Sequence, residues 1–315
     1  MIGTRPPARI SWPDGKDFAF TIFDDTDQAT LENVPPVYDL LRDLGLRTTK
    51  SIRPISGSGK PQYPGLTAGN DNYLRWILKL QAAGFEIGYH GATFHSAQRP
   101  EIIRALKKFH DLFGHDPRTM SNHAESSENL YWGDQRLSGI QRLVYNLLTR
   151  FKTRNKFRGH LENDTYFWGD LCREKITYVR NFVFSEINTL KACPHMPYHD
   201  PKRPFANYWF ASSNGNRSTH FNHLLSERNQ DQLEEEGGAC IVYTHLACGF
   251  FENGTLNQPF KALMTRLSRK NGWFVPVATL LDYLLDQKSQ SHLTDAQRRQ
   301  LEWKWLRQKI VVGTS

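Results

Sequence analysis

Residues 18–25 read FAFTIFDD, a β-prone run that leads directly into two aspartates, Asp24 and Asp25. Such a run, rich in aromatic and β-branched residues, predicts a strand that ends at the acidic pair. Outward from it, short β-rich runs alternate with helical patterns over most of the chain. This alternation predicts an α/β fold with a parallel sheet or barrel.

Seven main strands follow from this alternation. The strands are predicted at 18–23, 47–55, 85–90, 119–124, 176–184, 208–213 and 240–246, with a short one at 274–277. Helices are predicted at 34–44, 72–83, 100–113, 141–151, 221–236, 258–270, 279–287 and 294–312. Glycines after several helical runs, such as Gly45, Gly84 and Gly114, stand where helix C-caps are expected.

The elements divide the chain into one main domain and its extensions. Residues 15–287 are expected to form a single barrel-like domain, with an irregular insertion around 125–170. Residues 1–14 form an N-terminal arm. Residues 288–315 form a C-terminal amphipathic helix that packs either on the domain or on a second subunit, with a membrane-surface role as the less favoured alternative. A homo-oligomer through this helix is therefore one prediction. The insertion itself contains a basic amphipathic helix at 141–151.

Composition excludes several classes of protein. The 315 residues are 39% hydrophobic, which is enough for a sizeable core and unlike a disordered chain. No stretch has the roughly 20 apolar residues that a membrane span requires. Residues 1–11 lack the apolar run of a secretory signal, so a cytoplasmic location is expected. The net charge of +8 is scattered, and no compact basic tract among aromatics predicts nucleic-acid binding.

Polar residues that can do chemistry stand at the ends of four predicted strands. Strand one ends in Asp24 and Asp25, with Asp27 just beyond. The other three strand ends are His90, followed by His95; Asn122 with His123; and His245. Because parallel strands present their carboxyl ends at one edge, these side chains are predicted to form one site.

The residue types suit a metal site with acid–base catalysis. Neighbouring carboxylates on a strand point in different directions, so one can bind a metal while the other acts as a base. Asp25, His90 and His95 would supply one oxygen and two nitrogens, which suits zinc or another borderline divalent ion. Asp24 would take a proton from water activated by the ion, and His245 would protonate the leaving group.

In order and spacing, these motifs resemble those of the polysaccharide deacetylase superfamily, the NodB-homology domain. Residues 23–26 (FDDT) resemble its T-F-D-D-G motif, 86–90 (EIGYH) with His95 its E-I-G-x-H motif, and 242–245 (VYTH) its last motif. Residues 272–281 resemble the closing strand and helix of such domains. The resemblance implies a distorted (β/α) barrel of about seven strands and metal-dependent removal of acetyl groups from sugars.

The resemblance also implies roles for these residues: Asp24 as base, His245 as acid, and Asp25, His90 and His95 as metal ligands. Four residues separate His90 from His95, where the family usually has three. Positions five apart do not share a face of a regular element, so His95 needs a bulged loop and His123 is the alternative ligand. The family's R-x-P-[FY] motif is absent from 119–124, and Arg180 is the candidate replacement for the arginine that orients the base.

A carbohydrate substrate is the expected partner. The residues predicted to contact it are Asn122, His123, Arg180, His199 and Trp209, the last by stacking on a sugar face. The expected reaction is deacetylation of an amino sugar or glycan precursor, in surface-polysaccharide biosynthesis. Two alternatives stay open: a hydrolase of another non-peptide C–N bond, and a barrel that has lost catalysis and binds a glycan.

Overall fold

A computed structural model describes residues 10–61, 63–123, 125–288 and 291–313. Seven parallel strands form a closed barrel in sequence order, because β1 pairs with both β2 and β7. These strands are β1 Phe18–Asp24, β2 Thr49–Ile52, β3 Glu86–Tyr89, β4 Thr119–Met120, β5 Tyr178–Phe184, β6 Tyr208–Asn214 and β7 Ala239–Thr244. The predicted (β/α) barrel of seven strands is therefore confirmed.

Three short strands complete the β-structure of the described residues. β8 Phe251–Glu252 and β9 Thr255–Leu256 form an antiparallel hairpin after β7. β10 Gly272–Phe274 pairs in parallel with the first residues of β1, below the point where β2 joins.

Helices cover the outside of the barrel. They are α1 Pro35–Asp43, α2 Asp71–Ala82, α3 Arg99–Phe113, α4 Gly139–Leu148, α5 Gly169–Lys175, α6 Thr189–Ala192, α7 Ser218–Leu224, α8 Glu227–Glu235, α9 Gln258–Ser268, α10 Val277–Asp286 and α11 Asp295–Val312. Two short 3₁₀ turns lie at Pro13–Gly15 and Gly133–Arg136. No helix of the described chain combines the length and apolarity that crossing a bilayer requires.

The pairing of β1 with β7 closes the barrel and brings the first and last of the sequence motifs together. β1 and β7 align over six pairs, from Ala19 with Ala239 to Asp24 with Thr244. The Asp25 amide then donates to the Thr244 carbonyl at 2.9 Å. The residues that follow the two strands, Asp25 and His245, consequently emerge side by side at the same rim.

Several predicted elements differ in their bounds, such as the strand 47–55, of which only Thr49–Ile52 is a strand, and two further differences have a clear physical reason. β4 contains only two residues, because the chain turns at Asn122. The Asn122 side-chain amide donates to the Leu130 carbonyl and accepts from the Leu130 amide. Ala124, the last predicted strand residue, lies outside the described residues. The predicted helix 221–236 is two helices, α7 and α8. Asn229 of α8 donates to the last carbonyls of α7, which ends the first helix.

The C-terminal helix α11 packs on the barrel of its own chain. Trp305 is 1% exposed and lies 5.4 Å from the Phe182 ring of β5. Glu302, also buried, accepts from the Arg203 guanidinium at 3.0 Å. The prediction that this helix packs on the domain is thus supported, and a homo-oligomer stays a prediction.

Candidate active site

Asp24 lies at the end of β1 but faces away from the pocket. Its carboxylate is fully buried between β1, β2 and α1. It accepts hydrogen bonds from Lys50 at 2.8 Å, from the Tyr38 hydroxyl at 2.9 Å and from the Leu246 amide at 2.8 Å. With both oxygens engaged by buried donors, Asp24 is a structural group that ties three elements together.

Asp25, one residue further, points to the other side because side chains alternate along the strand. The Arg180 guanidinium donates to both of its oxygens, at 3.0 and 2.6 Å, and Ser121 donates at 2.7 Å. Burial alone would raise the pKa of Asp25, but Arg180, together with the imidazoles of His90 and His245, outweighs burial and lowers it. Asp25 is therefore an oriented, ionised carboxylate at the pocket wall.

Asp27, His90 and His123 bring potential metal-ligand atoms within 4.8 Å of one another. One Asp27 oxygen lies 3.6 Å from His90 Nε2, and the other lies 3.3 Å from His123 Nε2. Arg53 also donates to Asp27. Burial alone would raise the pKa of Asp27, but the surrounding imidazoles hold it well below its usual range. The carboxylate is ionised, as a ligand must be.

The hydrogen bonds of the two imidazoles leave both Nε2 atoms free. Ser121 Oγ donates to Asp25, so its 2.7 Å contact with His90 Nδ1 has the imidazole as donor. His123 Nδ1 lies 2.8 Å from Ser126 Oγ. Both Nε2 atoms are buried without a hydrogen-bond partner among the described residues. Burial also lowers the pKa of His123, which favours the neutral, ligating form.

Two orphaned imidazole nitrogens facing an ionised carboxylate match what a divalent cation requires. Buried polar atoms normally have partners, so an unpaired pair aimed at one point needs an explanation. A second partner on the opposite ring nitrogen is also usual for histidines that bind metal. The residues therefore fit a divalent ion held by Asp27, His90 and His123.

His245 faces this group from the end of β7. Its Nε2 lies 3.4 Å from Asp27, and its Nδ1 lies 2.8 Å from the Asn216 carbonyl, which accepts the ring N–H. Burial alone would lower the pKa of His245, but the negative charges of Asp27 and Asp25 outweigh it and raise the pKa. The shift is toward the protonated form, which a proton donor requires.

The sequence-based ligand set, Asp25, His90 and His95, shares only His90 with the group that the structure assembles. His95 packs against the loop at Gly57 and Gly59, with its Nε2 3.8 Å from Glu101. The longer spacing after His90 thus carries His95 away from Asp27. His123, the alternative ligand, comes from the chain that follows β4.

Of the five residues predicted to contact substrate, His123 belongs to the Asp–His group described above, and the other four divide into two pairs. Asn122 and Arg180 line the pocket, although Asn122 uses its amide to hold Leu130. His199 and Trp209 lie together near the start of β6, at the opposite end of that strand from its carboxyl terminus. Trp209 is 1% exposed, so it packs in the core.

A pocket of about 230 Å³ opens beside the Asp–His group. Its wall contains three aromatic rings, Tyr63, Trp132 and Tyr243, and the polar residues Asn216 and Arg217. Aromatic faces of this kind stack on apolar ring faces, and the polar groups fix orientation. Tyr243 belongs to β7, and the other rim residues come from separate loops, for which the sequence carried no spacing signal.

Sequence reasoning also gave no role to Asp27 and Ser121. The Asp-x-Asp spacing at 25–27 could have indicated Asp27, because alternate residues of an extended chain point the same way and so both carboxylates face one side. Ser121 had none: its role depends on the distance between the ends of β1 and β4, which only the closed barrel fixes.

Comparisons agree with this fold. No family model and no curated protein match the sequence. Among solved structures, a Mycobacterium smegmatis protein named as a polysaccharide deacetylase superposes with a TM-score of 0.51 and 13% identity, over 92% of this chain and 98% of that one. A PuuE allantoinase superposes with a TM-score of 0.54 and 12% identity, over 90% and 95%.

The chain has the polysaccharide deacetylase fold. The resemblance of its motifs is thereby confirmed at the level of the fold, which the allantoinase shares. Identities of 12–13% leave the reaction to be argued from the site itself.

Proposed function

We propose that the protein is a metal-dependent hydrolase that removes an acetyl group from an amino sugar or glycan precursor. The observation that carries this proposal is the pairing of two orphaned imidazole nitrogens with the Asp27 carboxylate, beside the separate Asp25–Arg180 pair. An ion site, an oriented base and a proton donor are the three parts that amide hydrolysis needs.

Asp27, His90 and His123 are the proposed ligands, and one oxygen with two nitrogens suits zinc. When bound, such an ion lowers the pKa of water and polarises an acyl carbonyl. The roles therefore move relative to the sequence motif: Asp25 is the proposed base in place of Asp24, and Asp27 the proposed carboxylate ligand in place of Asp25.

The side chains around the ligands supply the proton transfers. Asp25 accepts the proton of the attacking water, while Arg180 and Ser121 hold its carboxylate toward the pocket. Water adds to the acyl carbon, the C–N bond breaks, and acetate leaves. His245 donates its Nε2 proton to the departing amine, and the Asn216 carbonyl keeps the ring in orientation through Nδ1.

The pocket supports a small substrate portion. Ligand sites commonly measure roughly 300–1,000 Å³. This pocket, at about 230 Å³, lies just below that range, so its size suits one sugar ring with its acyl group. Tyr63, Trp132 and Tyr243 are the proposed stacking surfaces for that ring. A cytoplasmic, nucleotide- or lipid-linked sugar of surface-polysaccharide biosynthesis is the substrate class we expect.

Acetate release from a panel of acetylated sugars tests the proposal. The zinc-loaded protein is expected to release acetate, to stop after treatment with a chelator, and to recover when zinc is restored. Zinc-loaded Asp25→Asn serves as the matched control for contaminating activity. Turnover of cyclic or linear amides instead of sugars would support the other C–N hydrolase, and glycan binding without turnover would support an inactive barrel.

A further inference from the structure

Helix α4 has the reverse of the usual distribution of polar and apolar side chains. Its buried residues are Gln141, Tyr145 and Asn146, two of them polar. Ile140, Leu143 and Leu147, spaced at three and four residues, lie on the outer face with about half of their surfaces exposed. A helix on a globular protein normally turns its aliphatic side toward the core.

The inner face of α4 is firmly attached, so the outward leucines are not the result of a loose helix. Tyr145 packs 5.8 Å from the Trp305 ring of α11. The Asn146 amide donates to the buried Asp134, and Ser138, just before the helix, donates to Glu302 at 2.9 Å.

The apolar surface is concentrated in one place. Of the eleven large apolar side chains that are exposed in the described chain, five are in residues 140–151: Ile140, Leu143, Leu147, Leu148 and Phe151. We call these five the α4 patch. A cluster of exposed apolar side chains of this kind marks an interaction site.

Positive charge accompanies the patch. Residues 139–158 contain six lysines and arginines and no carboxylate. Arg150, Lys152 and Arg154 are exposed and have no carboxylate within 4.0 Å in the described part of the chain, unlike Arg142, which pairs with Asp134 at 2.8 Å. Arg154 lies 5.8 Å from the Phe151 ring, so cations and apolar groups share one surface.

We propose that the α4 patch binds the surface of an anionic lipid bilayer. Leucines and a phenylalanine beside unpaired cations are the combination that interfacial helices use, with apolar groups below the headgroups and cations among them. Self-association fits less well, because a two-fold interface would set the same cations against one another. Nucleic acid would use the cations but not the aliphatic side chains.

The patch is connected to the pocket wall. Trp132 lines the pocket, and the Arg136 guanidinium stacks 3.2 Å from its ring centroid, three residues before α4 begins. The segment that leads into the α4 patch thus also forms part of the pocket wall, which suits a lipid-linked substrate. That consequence rests on the proposed function, whereas lipid binding itself does not.

Co-sedimentation with vesicles tests the proposal without any activity measurement. The protein is mixed with vesicles of phosphatidylglycerol and phosphatidylcholine in equal parts, and with phosphatidylcholine alone. We expect binding to the anionic vesicles, about 10-fold weaker partition into the neutral ones, and a decrease as salt rises.

Two patch variants and two controls make the test specific. Leu143→Ser with Leu147→Ser, and separately Lys152→Gln with Arg154→Gln, should each weaken partition about 10-fold. Ile103→Ser and Arg104→Gln with Lys108→Gln remove comparable exposed residues from α3 and should change nothing.

Circular dichroism of every variant, and gel filtration of the wild type, accompany the vesicle measurement. Failure of the folded wild type to sediment with anionic vesicles at low salt would overturn the proposal, as would equal binding by the patch variants. Dimerisation that the leucine variant abolishes, without vesicle binding, would assign the patch to a second copy instead.

Discussion

Three aspartates within four residues have three different environments. Asp24 faces Lys50 and Tyr38 on the outer side of β1, Asp25 is hydrogen-bonded to Arg180 at the pocket wall, and Asp27 faces the imidazoles. The alternation of side chains explains why 25 and 27 share a side and 24 does not. Each residue therefore responds differently to substitution.

Asp25→Asn should reduce kcat by roughly 10²–10⁴-fold while leaving the bound metal in place, because the amide cannot accept the proton of water. The measurement is steady-state kinetics together with metal analysis of the same preparation. His95→Asn is the matched control and should retain activity. An Asp25→Asn enzyme with near wild-type kcat would exclude Asp25 as the base.

Glu128 predicts a pH dependence of stability. Burial raises its pKa to about 8, with the Ala97 amide and its own amide opposing the shift only in part. The side chain is neutral in both states below pH ~4.5, so its contribution is fully present there and is lost as pH rises through about 8. The resulting loss is on the order of 5 kcal/mol.

Glu128→Gln should remove that dependence, because the amide stays neutral at every pH. Urea unfolding of wild type and variant at pH 5 and pH 8 measures it; the variant should be the more stable of the two at pH 8 and similar at pH 5. Glu162→Gln, at an exposed position, controls for the lost charge. Equal pH dependence in wild type and Glu128→Gln would contradict the assignment.

At the scale of elements, Asp24 of β1 connects the two strands that flank β1 in the barrel, because it pairs with buried Lys50 and also accepts from Leu246. Lys50 belongs to β2, and Leu246, which donates to the other Asp24 oxygen, follows β7. Both side chains of the pair have no exposed surface. Losing one partner of such a pair leaves an unpaired charge in the interior, which lowers the free energy of unfolding far more than losing both partners does.

Lys50→Met should lower the free energy of unfolding by about 3–5 kcal/mol, and the double variant Asp24→Asn with Lys50→Met should recover part of it. Chemical unfolding of the two single variants and the double variant gives the coupling. Lys107→Met breaks an exposed pair with Asp111 of similar length, 2.7 Å, and should cost at most about 1 kcal/mol. Additive losses in the cycle would show that the pair has no special role.

The elements themselves were largely predictable, because apolar runs and helical periodicity are local signals. The strand ends at Asp25, His90, His123 and His245 also indicated the right rim of the barrel, since parallel strands share an edge. The ligand set was not predictable in full: the choice between His95 and His123 depends on where the chain turns after β3 and β4. Asn122 makes the second turn through its bonds to Leu130, and no sequence period encodes that.

At the scale of the whole molecule, α11 joins parts that are distant in sequence. Trp305 contacts Phe182 of β5 and Tyr145 of α4, and its ring lies 5.2 Å from the Arg136 guanidinium. The helix therefore stabilises the barrel wall and the insertion that carries Trp132 at once.

Trp305→Ala should lower the free energy of unfolding by about 3–5 kcal/mol, because a large buried ring is removed. Val311→Ala, in the same helix but 82% exposed, should change it by less than about 0.5 kcal/mol. Denaturant unfolding of both variants is the measurement. Similar stabilities for the two would mean that α11 contributes little to the fold.

The central claim concerns the ion site, and metal content per chain tests it most directly. After loading with zinc and removal of the excess, wild type, Asp25→Asn and His95→Ala should each retain a stoichiometric ion, whereas Asp27→Ala and His123→Ala should lose it. Retention by Asp27→Ala and His123→Ala, with loss in His95→Ala, would contradict the account.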